Sequence, residues 1–387
     1  MNTSKPFLDP LNCRIGIVGS GFVANGFGRL LQRIAPQWPL TAVLTRRNPA
    51  EIPPCFQTVA VPSERLDDFL ARCDLVVECS GDIRHATEVI ETALQAGKSV
   101  VTMHCEWHVT VGSALVSQGL LTEAEGDQPG SLAALREEVL SMGFEPWVYG
   151  NIKQFLNHTP TPEDMLYWSS RQGIRLRQTT AFTDGTKLQF EQALVANGLG
   201  AEILETGLAG PAASDLNIGG RLLAERASEF GQAISDYLMA PSLPPGVFIT
   251  ATHQAEDQPA LQYLKLGPGP WYTLYRPYHL CQYEMLKTVR RVIQGGGPLL
   301  NNGPHPAISV RAVAKKLLLP GDLIENALGS FELRGEAVRW RDDPEHLPLG
   351  LIQDAVIQQR IEPGQVLTWA DVELPDSRAL ALVRKRI

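Results

Sequence analysis

At 387 residues the chain is longer than one ordinary core holds and calls for two or three domains. Its 44% hydrophobic and 20% charged residues are the makeup of a packed globular protein, which excludes a disordered or membrane-embedded chain. A formal net charge of −8 with no long basic run argues against nucleic-acid binding, which needs clustered Lys and Arg, and leaves a small molecule as the expected partner. The opening MNTSKPFLDPLNCRIGIVGSG lacks a charged segment followed by an apolar one, and no stretch approaches the roughly 18 apolar residues of a membrane span, so a cytoplasmic location away from membranes is expected. Six cysteines (Cys13, Cys55, Cys73, Cys79, Cys105, Cys281) form no CxxC pair; neither a zinc site nor a disulfide framework is indicated, and no metal is assigned.

Arg14–Val18 (RIGIV) reads as a buried strand, followed at once by Gly19, Ser20, Gly21, Phe22, Val23 and Ala24, the GxGxxG/A pattern. A helix over Phe22–Ile34 and a strand over Leu40–Leu44 complete the βαβ unit the pattern requires. Such a turn offers backbone N–H groups at a helix N-terminus to a pyrophosphate. Where an NAD enzyme usually places an acidic residue for the ribose 2′-OH, the chain reads Thr45, Arg46, Arg47. That favours NADP, through guanidinium contacts to the 2′-phosphate, with NAD still open; solvated loop charges are the plainer alternative.

The rhythm continues with a strand over Asp74–Cys79, a helix over Ile83–Ala96 and a strand over Ser99–Met103. It places Cys79, Ser80 and Gly81 at a third cofactor loop. A helix over Gly130–Met142 and a strand over Phe144–Tyr149 would finish a nucleotide domain of residues 1–150. Residues 151–300 read as an α+β substrate domain with an antiparallel sheet, from strand-like runs at Val247–Ala251, Leu261–Leu266 and Trp271–Tyr275 and a helix over Leu222–Met239.

Three polar stretches stand out: GDQPG (Gly126–Gly130), GNIK (Gly150–Lys153) and FTDGTK (Phe182–Lys187), with Glu191 four residues on. Hydride transfer to a carbonyl needs a cation or acid beside the developing alkoxide. Lys153 and Lys187 suit that role, with Asp184 and Glu191 orienting them. Asp-Gly and Pro-Gly pairs also form ordinary turns, and His279 in RPYHLCQYE suits either substrate binding or packing. Residues 301–387 form a small β-rich, clip-like module with Pro-Gly turns at Pro320–Asp322 and Pro363–Gln365.

Taken together, IGIVGSGFVANG, DLVVECSGD, VVTMHCEWHVT, EGDQPG, FTDGTK, YRPYHL and the LPLGL…IEPGQVLTWADVEL ending resemble the homoserine dehydrogenase-like NAD(P)-dependent oxidoreductases that carry a C-terminal SAF domain. That family includes proteins similar to 1-deoxy-D-xylulose 5-phosphate reductoisomerase. The resemblance spans nearly the whole chain and implies an NADP-dependent enzyme acting on a small carbonyl or polyol. Homoserine dehydrogenases place a catalytic lysine soon after the VVT strand, where this chain has Met103, His104, Cys105 and Glu106, and PTPEDMLYWSSRQG lacks the lysine of their second motif. The family is therefore a guide to fold rather than to substrate, and Glu106 becomes a further candidate at a strand's carboxyl end.

The leading expectation is an NADP(H)-dependent hydride transfer to or from a small carbonyl or hydroxyl compound, a sugar or sugar phosphate among them. A reductoisomerase-like reaction, for which Asp127, Asp184 and Glu191 could hold a divalent metal, and a catalytically idle NADP-binding sensor are the alternatives. A dimer or tetramer is expected, since an exposed sheet face or edge invites a second copy.

Overall fold

Buried, β-branched strands separated by one-sided helices give a parallel sheet covered on both faces. In the computed structural model, which describes residues 8–386, the chain divides into two units. The first holds the residues up to Ser131, His279–Pro304 and those from Ala381 on; the second holds Leu132–Tyr278 and His305–Leu380.

The first unit runs β1 (Ile15–Val18), α1 (Phe22–Ile34), β2 (Leu40–Thr45), α2 (Pro54–Gln57), β3 (Ala60–Pro62), α3 (Leu66–Arg72), β4 (Leu75–Glu78), α4 (Ile83–Gln95), β5 (Ser99–Thr102), α5 (Cys105–Thr110) and β6 (Leu121–Glu123). The strands form one sheet in the order β3-β2-β1-β4-β5-β6, every neighbouring pair parallel. β1, β4 and β5 are buried along their whole length, and α1 turns Ala24, Phe27, Leu30 and Leu31 inward.

α6 (Gln128–Ser141) leads into β7 (Glu145–Lys153), which does not finish the first sheet as its sequence suggests. It is a central strand of a second sheet of order β10-β9-β7-β8, and the sixth parallel strand is the short β6. Helices α7 (Pro162–Gln172), α8 (Leu176–Thr183), α9 (Thr186–Leu199) and α10 (Leu216–Phe230) precede β8 (Ile234–Met239). The helix expected over Leu222–Met239 therefore stops at Phe230, because Gly231 takes a left-handed conformation (φ +82) that closes the last turn, and the apolar run after it becomes a buried strand. β9 (Val247–Thr252) and β10 (Tyr272–Arg276) stand where strands are expected, but Leu261–Leu266 does not form one: α11 covers Gln258–Tyr263, started by Pro259 in its first turn. β9 pairs antiparallel with β7 and β10, whereas β7 and β8 run parallel, so the sheet is mixed rather than antiparallel throughout.

The chain re-enters the first unit with α12 (Cys281–Ile293), whose Met285, Leu286, Val289, Val292 and Ile293 share a core with Phe27 and Leu31 of α1. β11 (Ile308–Ala314), β12 (Leu323–Asn326), β13 (Leu333–Arg339), β14 (Gln353–Ile357) and β15 (Val372–Glu373) follow, then α13 (Arg378–Arg384). β11 pairs with β13, and β12-β14-β15 make a small sheet, all antiparallel. The β11–β13 pair lies against α9: Gly335 donates its N–H to Thr186 Oγ1 at 2.9 Å and Ala337 to Gln189 Oε1 at 2.8 Å. α9 is buried from Leu188 to Ala196, on all sides of the helix.

Candidate active site

The turn after β1 is shaped by Gly19, held at φ +100, where a Cβ would meet the Cys79 carbonyl oxygen at 2.9 Å. Gly21 precedes α1 with no side-chain cap, and a Cβ there would meet nothing within 4 Å, so the start of the helix is uncrowded at Gly21. Phe22 is exposed and Val23 half-buried beside them. Ser20 Oγ lies 3.0 Å from Thr45 Oγ1, which also accepts the Arg47 N–H at 3.1 Å; one hydroxyl thus joins the β1 and β2 ends. Arg46 and Arg47 are exposed, and the Arg46 guanidinium reaches Asp82 at 3.0 Å. Asp82 also caps α4 by accepting the His85 N–H at 3.1 Å. Glu78 accepts the Ser80 N–H at 2.7 Å, and Gly81 is exposed at φ +68. Gly19, Gly21, Phe22, Val23, Thr45, Arg46, Arg47, Cys79, Ser80 and Gly81 thus follow the carboxyl ends of three adjacent strands, and the open, uncapped helix start fits a pyrophosphate.

Beneath this edge lies a buried polar chain. Glu78 accepts the Thr102 hydroxyl at 3.1 Å and lies 3.4 Å from His104 Nδ1; Glu123 accepts the His104 N–H at 3.2 Å and lies 3.5 Å from His108 Nε2. Burial pushes the Glu78 carboxyl up, but His104 and Ser80 more than offset it and hold it below the usual range. Burial drives the His108 imidazole down to about 3, so it is neutral at pH 7. Glu106, on the first turn of α5, is half-buried and accepts the Cys105 thiol at 3.4 Å.

In the second unit, Lys153 at the end of β7 places Nζ 3.6 Å from Glu191 Oε2, which also accepts the Asn151 amide at 3.2 Å. Lys187 lies one turn before Glu191 on α9. Asp184 sits differently: its carboxylate accepts the Thr186 N–H at 2.9 Å and Lys315 Nζ at 2.5 Å, both side chains essentially buried. Close by, Gln192 donates its amide to Tyr149 O and Asp236 O, and Asp236 accepts three backbone N–H groups, from Ala209, Gly210 and Tyr237. The fold therefore joins Lys153 to Glu191, ties Asp184 to Lys315, and leaves Glu106 in the other unit. His279 belongs to the first unit, with Nε2 3.4 Å from Gln128 Nε2 of the GDQPG stretch. The residues that sequence reasoning passed over are Glu78, Glu123, His104 and His108; the spacing of the two histidines, four apart in VVTMHCEWH, is the signal that could have found them.

A 3-2-1-4-5-6 parallel sheet with an open glycine turn after its first strand defines a dinucleotide-binding protein of the dehydrogenase class. Residues 19–116 match the family model described as homoserine dehydrogenase, NAD binding domain, and residues 126–285 match that of oxidoreductase DRL, catalytic domain. With that fold, the chain is an NAD(P)-dependent oxidoreductase. Among solved structures it is similar to UDP-N-acetylglucosamine 3-dehydrogenase GnnA from Acidithiobacillus ferrooxidans, at 12% identity over 75% of this chain and 92% of that one, with a TM-score of 0.42. It is also similar to a putative myo-inositol dehydrogenase from Sinorhizobium meliloti 1021, at 12% identity over 73% and 89%, with a TM-score of 0.39. No curated protein matches the chain. No helix among the described residues is long and apolar enough to cross a membrane.

Proposed function

We propose that the chain uses NADP(H) to interconvert a hydroxyl and a carbonyl on a small polar substrate of the sugar or sugar-phosphate class. The observation that carries the cofactor choice is the end of β2, where Thr45 is followed by Arg46 and Arg47 instead of an acidic residue, with Arg46 anchored to Asp82. Two exposed guanidinium groups favour a 2′-phosphate, and Arg46, Arg47 and Asn48, the residues directly after β2, include no carboxylate to take a 2′-OH. NADP(H), when bound, supplies or accepts the hydride. Lys153 then holds the proton that a developing alkoxide takes, Glu191 keeps the ammonium in place, and Lys187 adds positive charge from the same helix. Asp184 acts at one remove, by fixing the turn that starts α9. Glu106 is the acid–base candidate of the first unit. In the same reading, residues 301–387 are a SAF-like module, supported by the Pro320 and Pro363 turns between short strands, and the protein works in the cytoplasm as a homo-oligomer, with β10 as an edge strand to which a second copy could add.

Fluorescence titration with NADPH and NADH tests the cofactor. NADPH should bind more tightly, and replacing both Arg46 and Arg47 by Ala should weaken NADPH by about 10- to 100-fold, as expected for lost charge-assisted contacts worth about 1.5–3 kcal/mol, while leaving NADH nearly unchanged. Equal weakening of both, or tighter NADH binding from the start, overturns the assignment. Lys153→Ala should lower kcat/KM by at least about 100-fold with NADPH affinity intact; an unchanged rate removes Lys153 from the chemistry.

A further inference from the structure

Asp127, His279 and Cys281 are far apart in the chain, yet each offers one donor atom and the three donors lie within 4.8 Å of one another. We propose that they bind one zinc-type divalent ion in an open, three-ligand site whose fourth position takes water or a substrate oxygen. A carboxylate, an imidazole and a thiolate together are a borderline-soft set that suits zinc and disfavours magnesium, which takes oxygen ligands only. Bonds of about 2.0–2.3 Å in a tetrahedron put donors roughly 3.5 Å apart, which small side-chain rotations from the present positions reach.

The backbone around the three residues is built for close approach. Gly126 is held at φ +114, and a Cβ there would meet the Cys281 carbonyl oxygen at 2.4 Å; a Cβ on Gly130 would meet the Ala124 carbonyl oxygen at 1.9 Å. Gly126 is thus pressed onto the start of α12 and Gly130 folds back on the loop's own backbone, both in a way that side chains at those positions forbid. The neighbouring acids are committed elsewhere: Lys287 bridges Glu125 at 2.7 Å and Glu284 at 3.0 Å, and Glu284 accepts the Leu280 N–H at 2.7 Å, which fixes the segment carrying His279 and Cys281. The Gln128 amide lies beside His279 Nε2 at 3.4 Å, and with its oxygen turned toward that nitrogen it would accept the ring N–H and leave Nδ1 for the ion. The site also adjoins the dinucleotide turn's helix, since a Cβ on Gly26 of α1 would meet Gln282 at 2.5 Å. An ion there would polarise an oxygen of the substrate as a Lewis acid, a role that rests on the oxidoreductase reading, although the binding itself does not.

The test is a cobalt titration of the full chain after dialysis against dipicolinate. One Co²⁺ per chain should bind, with a thiolate charge-transfer band in the near ultraviolet, release of the Cys281 thiol proton, and displacement by zinc. The band should vanish in Cys281→Ser and persist in Cys79→Ser, and His279→Gln should weaken binding by about 100-fold. No band in the wild-type chain, or a band that survives Cys281→Ser, overturns the site, and the first arm depends on no variant. NADPH titration of the same metal-free protein keeps the two readings apart. A missing band with intact NADPH binding removes the metal site alone, and a band without NADPH binding removes the cofactor reading alone.

Discussion

Lys315→Met should destabilise the protein by about 3–5 kcal/mol, read as a lower midpoint in urea with an unchanged slope. The side chains of Lys315 and Asp184 are 3% and 0% exposed, their charges meet at 2.5 Å, and Lys315 also donates to the Ser330 carbonyl at 2.5 Å. Burial pulls the Lys315 ammonium below its ordinary value despite the carboxylate beside it, so the pair carries a desolvation cost that its mutual contact helps to offset. Removing the lysine leaves a buried carboxylate that keeps the Thr186 N–H but has lost its counter-charge. The double variant Lys315→Met with Asp184→Leu should recover most of the loss, because no charge then stays buried. A single variant costing less than about 1 kcal/mol, or a double variant no better than the single, would show that the pair does not act as a buried unit. Loss of activity on changing Asp184 is then expected to follow loss of the fold around α9 rather than loss of a proton donor.

Acid should unfold the first unit through His108. In the unfolded chain an imidazole titrates near 6.5; buried between Trp107 and the Glu123 side it titrates at about 3. Between those values the unfolded state binds a proton that the folded state refuses, so stability is fully present above about pH 6.5 and drains away as the pH falls toward 3. A shift of this size corresponds to about 5 kcal/mol at most. His108→Gln should flatten that limb of the stability curve measured by urea unfolding at a series of pH values, even if it lowers the plateau. An equally steep acid limb in the variant would assign the loss to other groups.

The parallel sheet was legible because each part carries its own local signal: an apolar run, a glycine turn, then apolar residues at helical spacing. α1 spans the same residues, Phe22–Ile34, in sequence and structure. The misreadings came where a local pattern suited two outcomes. The helix expected over Leu222–Met239 merged a helix with a buried strand, since both are apolar and only the conformation of Gly231 divides them. Leu261–Leu266 offers apolar residues at a spacing that suits a strand, but Pro259 starts a helix just upstream. For the site, residue type suggests Asp184 and Glu191 as partners that orient Lys153 and Lys187; in the fold Glu191 lies beside Lys153, whereas Asp184 is held by Lys315, a residue 131 positions further on that no local pattern connects to it. Nothing local could announce that Asp127, His279 and Cys281 meet, because their proximity depends on a chain that leaves the first unit and returns with α12.

α9 is buried on every side, and two of its polar side chains accept N–H groups from β13. While the chain is being synthesised, that helix leaves the ribosome well before the strands that cover it. The second unit therefore cannot close its interior until residue 339 has emerged, and β11 and β13 serve as the last wall of a chamber begun almost two hundred residues earlier, at β7.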